Sequence, residues 1–227
     1  MRFAYLLDLP LTEYSNALAL QRAAVQARRE GRLDRDLILM LEHPPVFTLG
    51  RRGGRENLLI SEEELRKKNI AVVPIERGGD ITYHGSGQLV VYPIVDLNAA
   101  HIKVVAFVDL LEQAMIRTAA HWDIPARGDA QHRGAWVEHR KLGSIGLTVR
   151  HGISFHGLAL NVTTDLTPFT WINPCGIQAC EMTTLSREAN QSVSVEEVRK
   201  QMADQLGGLL GATFKSINIE SANAYIR

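Results

Sequence analysis

The amino-acid sequence predicts an α+β fold in which a mixed β-sheet packs against helices. The run from Asp36 to Glu42 is almost continuously apolar, which is typical of a strand covered on both faces. Two long segments, Leu11 to Arg32 and His101 to Trp122, carry apolar residues near helical spacing. Three β-type segments follow one another between Gly134 and Val162. Helices and strands mixed in this way indicate a sheet with helices packed on it.

The first third of the chain predicts a strand, a helix and two further strands. Residues 3–9 form the first strand, and the helix after it ends near Gly31. The polar side of this helix is expected to be solvated rather than to bind an acidic partner. It carries Arg22, Arg28, Arg29 and Arg32. Residues 46–49 form another short strand, and Ser61 with Glu64 is a capping box that opens a helix to about Asn69.

The second half predicts a long amphipathic helix, three strands, a closing helix and a last strand. In the helix at 101–122, six apolar residues are expected to face inward: Val104, Val105, Val108, Leu111, Met115 and Ala119. Glu112 and Arg117 are expected to face solvent. The strands are expected at 134–138, 141–149 and 154–162, after an earlier one at 89–97. Ser194 with Glu197 caps a closing helix to about Leu210, and the last strand covers 213–218.

Composition excludes several classes of function. The 227 residues are 45% hydrophobic and 22% charged, which is ordinary for a globular protein, and we expect one domain over residues 1–227. Lys and Arg number 25 and Asp and Glu number 25, so no net charge favours nucleic acid. Two nearby cysteines make neither a disulfide framework nor a zinc ligand set, and they fit a reducing cytoplasm. The apolar run near Met1 is too short for a signal peptide or a membrane span.

Two glycine-rich segments are candidates for binding loops. Gly50 to Arg55 is basic but lacks the Lys-Ser/Thr ending of a P-loop, so we do not predict a nucleotide site there. Arg77 to Gln88 combines several glycines with Arg77, Tyr83 and His84. Glycines allow the backbone to approach a ligand closely, so a binding loop is favoured here over a plain hairpin turn.

A single cysteine is presented on a tight turn in the segment Trp171 to Ile177. Pro174 and Gly176 flank Cys175. Pro174 has a fixed φ angle, and Gly176 can adopt φ values that other residues rarely take. A thiol needs a partner to become a thiolate nucleophile, and the candidate partner lies upstream in residues 139–146. The same thiol could be buried and inert, because free cysteine is among the most buried residue types. The residues alone leave both interpretations open.

Three segments, taken together and in order, resemble the lipoyl (octanoyl) transferase family. They are Arg77 to Gln88, Arg140 to Gly146 followed by His156 to Val162, and Asn173 to Ile177. The resemblance covers the chain from about Leu6 to Leu210. It departs from the family pattern at Ser86, where proline is usual. The resemblance implies a fold shared with biotin and lipoate protein ligases.

The resemblance also implies a reaction and its partners. The family moves an octanoyl chain from acyl carrier protein to a lysine of a lipoyl domain, in 2-oxoacid dehydrogenase complexes or the glycine cleavage H protein. Both half-reactions exchange one acyl carrier for another, so no cofactor is expected. Acyl carrier proteins are acidic, so local basic residues are expected to attract the donor. By position in the sequence, the candidates are Arg51, Arg52 and Arg55.

Specific residues inherit roles through this resemblance. The family's acyl-thioester cysteine falls on Cys175, and the lysine that favours its thiolate falls on Lys141. The substrate-contacting positions fall on Arg77, Gly78, Gly79, Asp80, Ile81, Thr82, Tyr83, His84, Ser144, Ile145, Gly146, Gly157, Leu158 and Ala159. An apolar tunnel is expected for the tail, with room left by small residues such as Gly146, Gly157 and Ala159.

Three alternatives remain at this point. An ATP-dependent lipoate or biotin ligase would have the same fold but needs no nucleophilic cysteine. A non-catalytic module that binds lipoyl domains or acyl carrier protein has no use for a Lys–Cys pair. A thiol hydrolase would use His84 or His156 as its base and release free octanoate. The Lys141 and Cys175 pair argues against the first two.

Overall fold

The computed structural model describes residues 2–173 and 180–226 of the chain. Ten strands in this part form two sheets, and six helices pack around them. The strands are β1 (Arg2–Leu11), β2 (Leu37–Glu42), β3 (Val46–Leu49), β4 (Ala71–Pro74), β5 (Ile81–His84), β6 (Gln88–Ile94), β7 (Gly134–Val137), β8 (Arg140–Arg150), β9 (Ile153–Asn161) and β10 (Ala212–Ile217). The helices are α1 (Tyr14–Arg29), α2 (Glu62–Lys67), α3 (Val104–Ala120), α4 (Leu185–Glu188), α5 (Val195–Leu210) and α6 (Ile219–Ile226).

The larger sheet is mixed, as predicted. Its seven strands lie in the order β10-β1-β2-β6-β9-β8-β7. The pairs β10–β1 and β1–β2 are parallel, and the remaining pairs are antiparallel. A second sheet has the order β4-β3-β5. The predicted combination of a mixed sheet with packed helices is therefore confirmed.

Helices cover both faces of the larger sheet, which explains the continuous apolar run in β2. Ile38 and Met40 point into the core beneath α3 and α5, together with Leu111 and Met202. Leu37, Leu39 and Leu41 point to the opposite face, into the core beneath α1 and α6. A strand buried on both faces needs no polar alternation.

Local sequence signals set several element boundaries. Both predicted capping boxes are present, with Ser61 and Glu64 opening α2 and Ser194 and Glu197 opening α5. The predicted arginine face of α1 makes more protein contacts than expected. Arg22 pairs with Glu76 at 2.9 Å, and the partly buried Arg28 lies 3.4 Å from Asp36.

The predicted orientation of α3 was partly wrong. Leu111, Met115 and Ala119 are buried as expected, whereas Val104 and Val105 are 45% and 65% exposed. Phe107 provides the buried apolar residue in the first half of the helix. Glu112, expected in solvent, is only 7% exposed because the segment between α3 and β7 folds over it.

Candidate functional site

A small inner cavity of about 40 Å³ lies where the two sheets meet. The predicted binding segments supply most of its wall. From the first segment come Arg77, Gly79, Thr82 and His84, and from the second come Ser144, Ile145, Gly146, Gly157, Leu158 and Ala159. Tyr14, Tyr92 and His156 complete the wall.

Side chains of the first segment point in two directions, because successive residues of a β-strand face opposite sides of the sheet. Residues 81–84 form β5, in which Thr82 and His84 face the cavity. Ile81 and Tyr83 instead join the core of the smaller sheet, where Tyr83 packs against Phe47 and Phe169. Asp80 accepts a hydrogen bond from Asn57 Nδ2 at 2.7 Å, and Gly78 lines a neighbouring cavity. The structure therefore places Asp80, Ile81 and Tyr83 outside the cavity wall.

Arg77 organises the loop that precedes β5. Its buried guanidinium donates to the carbonyl of Thr48 at 2.7 Å, to the Thr48 hydroxyl at 2.9 Å and to the carbonyl of Gly78 at 3.1 Å. The loop is also bound to the larger sheet, since the Gly78 N–H donates to the carbonyl of Leu147 at 3.0 Å. These contacts fix the backbone of the loop against β8.

The second segment forms one continuous stretch of cavity wall. In the register of β8 and β9, Ser144 pairs with Ala159, Ile145 with Leu158 and Gly146 with Gly157. Both glycines line the inner cavity, and each also has a neighbouring backbone carbonyl close to its Cα. A Cβ at Gly157 would lie 2.2 Å from the Val91 carbonyl oxygen, and one at Gly146 would lie 2.9 Å from that of Gly78. These glycines allow close backbone packing at this point of the cavity wall.

A β-bulge directs Lys141 toward this region. Ala135 pairs with Gly143 and Trp136 pairs with Lys141, so β8 has one extra residue, Leu142, at this point. Leu142 is buried in the core beneath α3, and a Cβ at Gly143 would meet Met115 of α3. Because two successive residues occupy the α3 face, Lys141 falls on the same face as Ser144 rather than on the opposite one.

Lys141 is deeply buried for a lysine, with 1% of its surface exposed. Its Nζ atom lies 4.8 Å from the centroid of the Trp136 ring. Its N–H donates to the carbonyl of Glu181 at 2.7 Å, and its carbonyl accepts from the N–H of Thr183 at 2.9 Å. The Lys141 backbone is thus paired with the chain just beyond residues 174–179.

Lys141 lines an outer cavity of about 330 Å³, together with Arg52, Val104, Val108, His132 and Arg133. This outer cavity shares Gly79, Ile145 and Gly146 with the inner cavity. Of the three arginines predicted to attract a donor, Arg52 lines the outer cavity and Arg51 is exposed nearby. Arg55 forms an ion pair with Glu62.

Of the third predicted segment, Asn173 to Ile177, the structure describes only Asn173. Asn173 donates its N–H to the carbonyl of Asn57 at 2.9 Å. Cys175, with residues 174–179, lies outside the described residues. Cys180 is partly buried beside Met182 in the core of the smaller sheet.

The histidines of the inner cavity are held neutral by burial. Desolvation lowers the pKa of His84 to about 3 and the pKa of His156 to about 4. His84 Nδ1 lies 2.7 Å from Gln88 Oε1. Gln88 uses its amide nitrogen to donate to Asn161 Oδ1, so Oε1 accepts and His84 Nδ1 carries the proton.

Sequence analysis did not assign three residues to this region: Tyr14, Tyr92 and Trp136. Burial raises the pKa of both Tyr14 and Tyr92, so both are neutral phenols in the cavity wall. Tyr92 lies 2.8 Å from Nε2 of the buried His43. A tyrosine within an otherwise apolar strand was the available signal, because a buried hydroxyl requires a partner.

Two further properties concern the described part of the chain. Residues 2–173 and 180–226 contain no group of three His, Cys, Asp or Glu side chains that could hold a metal ion. None of the helices in these residues is both long and apolar enough to cross a membrane.

The fold is shared with known ligases. A bi-partite lipoate protein ligase from Thermoplasma acidophilum superimposes with a TM-score of 0.78 at 17% identity, covering all (100%) of this chain and 91% of the other. A biotin protein ligase from Aquifex aeolicus, in complex with biotin and ATP, gives 0.56 at 10% identity, covering 92% and 71%. The fold expected from the resemblance is confirmed.

Sequence comparison places the chain more narrowly. Residues 13–207 match the family model of the lipoyl protein ligase A/B catalytic domain. An octanoyltransferase from Desulfotalea psychrophila is 49% identical over 210 residues, which cover 92% of this chain and 94% of that protein. An octanoyltransferase from Geobacter sulfurreducens is 43% identical over 204 residues, covering 90% and 83%. The chain therefore belongs to the lipoyl protein ligase A/B catalytic domain family, and it is an acyltransferase.

Proposed function

We propose that this enzyme transfers an octanoyl group from acyl carrier protein to a lysine of a lipoyl domain, through a thioester on Cys175. The observation that carries the proposal is Lys141, a buried lysine that lines the outer cavity. The relatives named octanoyltransferase support the choice of acyl group. Residues 1–227 act as one catalytic domain in this proposal, and the family match over residues 13–207 supports that extent.

The inner cavity is the proposed site of the octanoyl chain. Its wall is built largely from backbone and small or apolar side chains, such as Ile145, Leu158 and Ala159. An octanoyl tail has about seven carbons beyond the carbonyl, each stabilised by roughly 0.8 kcal/mol when buried. The gross gain is on the order of 5 kcal/mol before the loss of chain entropy, which is enough to position the acyl group for attack.

Lys141 is the proposed partner of the Cys175 thiol. The Lys141 backbone is paired with Glu181 and Thr183, and Cys175 precedes Glu181 by six residues. Six residues span at most about 20 Å when fully extended, so the chain connection to Glu181 permits the proposed approach of the Cys175 thiol to Lys141. An ammonium beside a thiol favours the thiolate, which is the reactive form.

The chemistry proceeds in two balanced steps. The Cys175 thiolate attacks the thioester carbonyl, a new C–S bond forms and the bond to the phosphopantetheine sulfur breaks. That sulfur leaves with a proton from the Lys141 ammonium. The neutral amine of the acceptor lysine then attacks the acyl-cysteine, the C–N bond forms and the Cys175 thiolate leaves. The amine proton passes to Lys141, which restores the starting ion pair.

The outer cavity is the proposed route of the donor arm to the thiol. It lies open beside Lys141, and Arg52 and Arg133 line it. Arg133 is also paired with Asp109 at 2.8 Å, so Arg52 is the stronger candidate for attracting an acidic carrier protein.

Intact mass spectrometry tests the proposal directly. The enzyme mixed with octanoyl-acyl carrier protein, without acceptor, should gain one octanoyl mass that hydroxylamine removes and peptide mapping places on Cys175. Cys180→Ser should still gain the mass, and Cys175→Ser should not. In a parallel arm, free octanoate with ATP should give no adduct. An adduct on Cys180, no adduct with the carrier-bound donor, or ATP-dependent activation would contradict the proposal.

A further inference from the structure

The larger sheet changes its pairing next to Lys141. Strand β9 pairs with β8 from Gly143 onward, along the rest of β8. Before that point Lys141 pairs instead with the chain after residue 180, through a parallel bridge to Met182. The Lys141 carbonyl accepts the N–H of Thr183 in this bridge. The position of Lys141 therefore depends on how firmly the segment 181–183 is attached to the rest of the sheet.

The side chain of Asn161 ties this segment to β9. Asn161 is the last residue of β9 and is only 1% exposed. Its Nδ2 atom donates to the carbonyl of Thr183 at 3.1 Å. Thr183 is itself buried, and its own N–H donates to the Lys141 carbonyl at 2.9 Å. One buried residue thus connects the Asn161 amide with the backbone of Lys141.

The orientation of the Asn161 amide is set by its neighbours. Gln88 lies opposite Asn161 in the β6–β9 register, and its Nε2 donates to Asn161 Oδ1 at 2.9 Å. Gln88 Oε1 accepts from Nδ1 of His84, which lines the inner cavity. Because Oδ1 of Asn161 accepts from Gln88, its Nδ2 is the group that donates to Thr183. The hydrogen bonds therefore run in one direction, from the wall of the inner cavity to Thr183.

Buried hydrogen bonds of this kind restrict movement, because breaking one leaves both partners without water to replace it. Any shift of the Lys141 backbone moves the ammonium at the end of its side chain. The attraction between an ammonium and a thiolate depends on their separation. A displacement of about 1 Å at a reacting group can reduce a rate by about 100-fold. The attachment of segment 181–183 is therefore relevant to the chemistry of Lys141.

We propose that Asn161 is a positioning residue, which acts through Thr183 to hold the Lys141 backbone where its ammonium meets the Cys175 thiol. The inference rests on the proposed function, which gives Lys141 its role beside Cys175. Asn161 contacts neither substrate in this proposal. Loss of its amide donor therefore changes the thiolate and the rate of transfer, whereas binding of the donor protein is unaffected.

Asn161→Asp is the sharpest test, because it keeps the shape of the side chain. A carboxylate still accepts from Gln88 but cannot donate to Thr183. We expect the midpoint pH of iodoacetamide alkylation, read at Cys175 by peptide mapping, to rise by about one unit, since a neighbouring opposite charge shifts a pKa by about 1–3 units. The kcat for octanoyl transfer should fall about 10- to 100-fold. KM for octanoyl-acyl carrier protein should change by less than about threefold.

Protonation of the new carboxyl provides an independent readout. Burial raises the pKa of a carboxyl, and its protonated form has an O–H that can donate to Thr183. The transfer rate of Asn161→Asp, divided by the wild-type rate, should therefore rise as the pH falls from about 8 to about 6. Asn161→Ala has no group to protonate, so its ratio to the wild type should stay flat. Flat ratios for both variants would contradict the role of the donated hydrogen bond.

Ser154→Ala is the matched control at the other end of β9. The buried Ser154 hydroxyl donates to the carbonyl of Pro93 at 2.7 Å, and Ser154 pairs with Val149, far along β8 from Lys141. This variant should lower the melting temperature as Asn161→Ala does, with kcat and the alkylation midpoint near the wild-type values. Asn161 variants that behave in the same way would assign the residue to stability alone and overturn the inference. Loss of folded protein in both Asn161 variants would overturn it too, because the residue would then serve the whole fold.

The proposed function and this inference fail separately. A wild-type enzyme that gains no octanoyl group on Cys175 removes the proposed function, whereas the alkylation midpoints still decide whether Asn161 sets the environment of the thiol. A wild-type enzyme that forms the thioester, beside Asn161 variants with the same midpoint and kcat, removes only the positioning role.

Discussion

The Lys141 Nζ atom lies 4.8 Å from the centroid of the Trp136 indole ring, and Lys141 lines the outer cavity. An aromatic face attracts an ammonium, and the attraction is stronger where water is excluded. The Gly134 backbone closes on the same side chain, because a Cβ there would lie 3.1 Å from Lys141 Cε. The lysine is therefore confined both by packing and by an electrostatic contact.

The first prediction concerns the charge and the proton of Lys141. Lys141→Arg keeps a permanent positive charge but cannot deprotonate near neutral pH. It should therefore retain a thiolate at Cys175 that reacts with iodoacetamide, and lose transfer to the acceptor. Lys141→Met removes the charge at similar length and should lose both properties. The measurement is the pH profile of Cys175 alkylation in each protein, set beside its transfer rate.

Lys200→Met provides the control for these variants, since Lys200 is an exposed lysine of α5 that pairs with Glu196. It should behave like the wild type. A Lys141→Met protein that alkylates with the wild-type pH profile and still transfers octanoate would show that Lys141 is not the partner. His84 or His156 would then be the better candidate.

The second prediction concerns Trp136. Trp136→Leu removes the aromatic face and should slow transfer about 3- to 30-fold, corresponding to the roughly 0.5–2 kcal/mol of a cation–π contact. Trp136→Phe keeps a weaker aromatic face, so its transfer rate should lie between those of the wild type and Trp136→Leu. Transfer rates of the wild type and both variants, measured under identical conditions, check this prediction. Identical rates in the Leu and Phe variants would mean that the ring acts only by packing.

The third prediction concerns Glu112, whose carboxylate accepts the Gly134 N–H at 3.0 Å. Glu112→Gln replaces a charged acceptor in a buried setting and should destabilise the fold by about 1–2 kcal/mol. For a chain of this size the melting temperature should fall by about 2–8 °C. Arg117→Gln, at an exposed position of the same helix, is the matched control and should change Tm little. Equal melting temperatures for the two variants would contradict an anchoring role for Glu112.

The fourth prediction concerns attraction of the donor by Arg52. Arg52→Glu reverses a charge at the outer cavity and should raise KM for octanoyl-acyl carrier protein severalfold at low salt. It should also weaken the dependence of KM on ionic strength. Arg29→Glu, on the exposed end of α1, makes the same charge change elsewhere and should leave KM near the wild-type value. A KM unaffected by Arg52→Glu at low salt would exclude this part of the surface from docking.

The fifth prediction concerns acid stability. Burial lowers the pKa of His43 and of His156 to about 4, and that of His84 to about 3, whereas an unfolded histidine titrates near 6.5. Between these values the unfolded chain binds more protons than the folded one. The free energy of unfolding is therefore highest above pH 6.5 and falls as the pH decreases toward 4.

Urea unfolding between pH 7.5 and 5 measures this effect above the range in which most carboxylates titrate. Each buried histidine should contribute about 1.4 kcal/mol of loss per pH unit below its unfolded pKa. His84→Gln should reduce the slope by about one proton, and the exposed His121→Gln should not. A flat wild-type profile over this window would show that these histidines are not held neutral.

The sequence by itself determined the elements whose signals are local. The continuous apolar run of β2 is explained by burial on both faces, and both capping boxes open helices where Ser and Glu stand three residues apart. The glycine-bearing segments at 77–79, 144–146 and 157–159 also meet at one cavity. Such signals are visible in the sequence because the spacing of apolar residues and the geometry of helix caps depend only on residues close together in the chain.

The short helix α6 was missed although a weak local signal was present. The Asn218 side chain accepts the N–H of Ser221 at 2.8 Å, which is an N-cap arrangement visible in the sequence. The helix is stabilised mainly by burial of Ala222 and Ile226 against α1 and β1, and a stretch of eight residues has little helical stability of its own.

Tertiary structure alone decided which side chains face the site. The extra residue at Leu142 turns Lys141 toward the cavities, the pairing of β5 sends Tyr83 into a separate core, and the segment before β7 buries Glu112. The hydrogen bond from Asn161 to Thr183 likewise forms only where β9 meets the chain after residue 180. These features depend on contacts between residues far apart in the chain, so no local pattern encodes them; strand register and chain packing determine them.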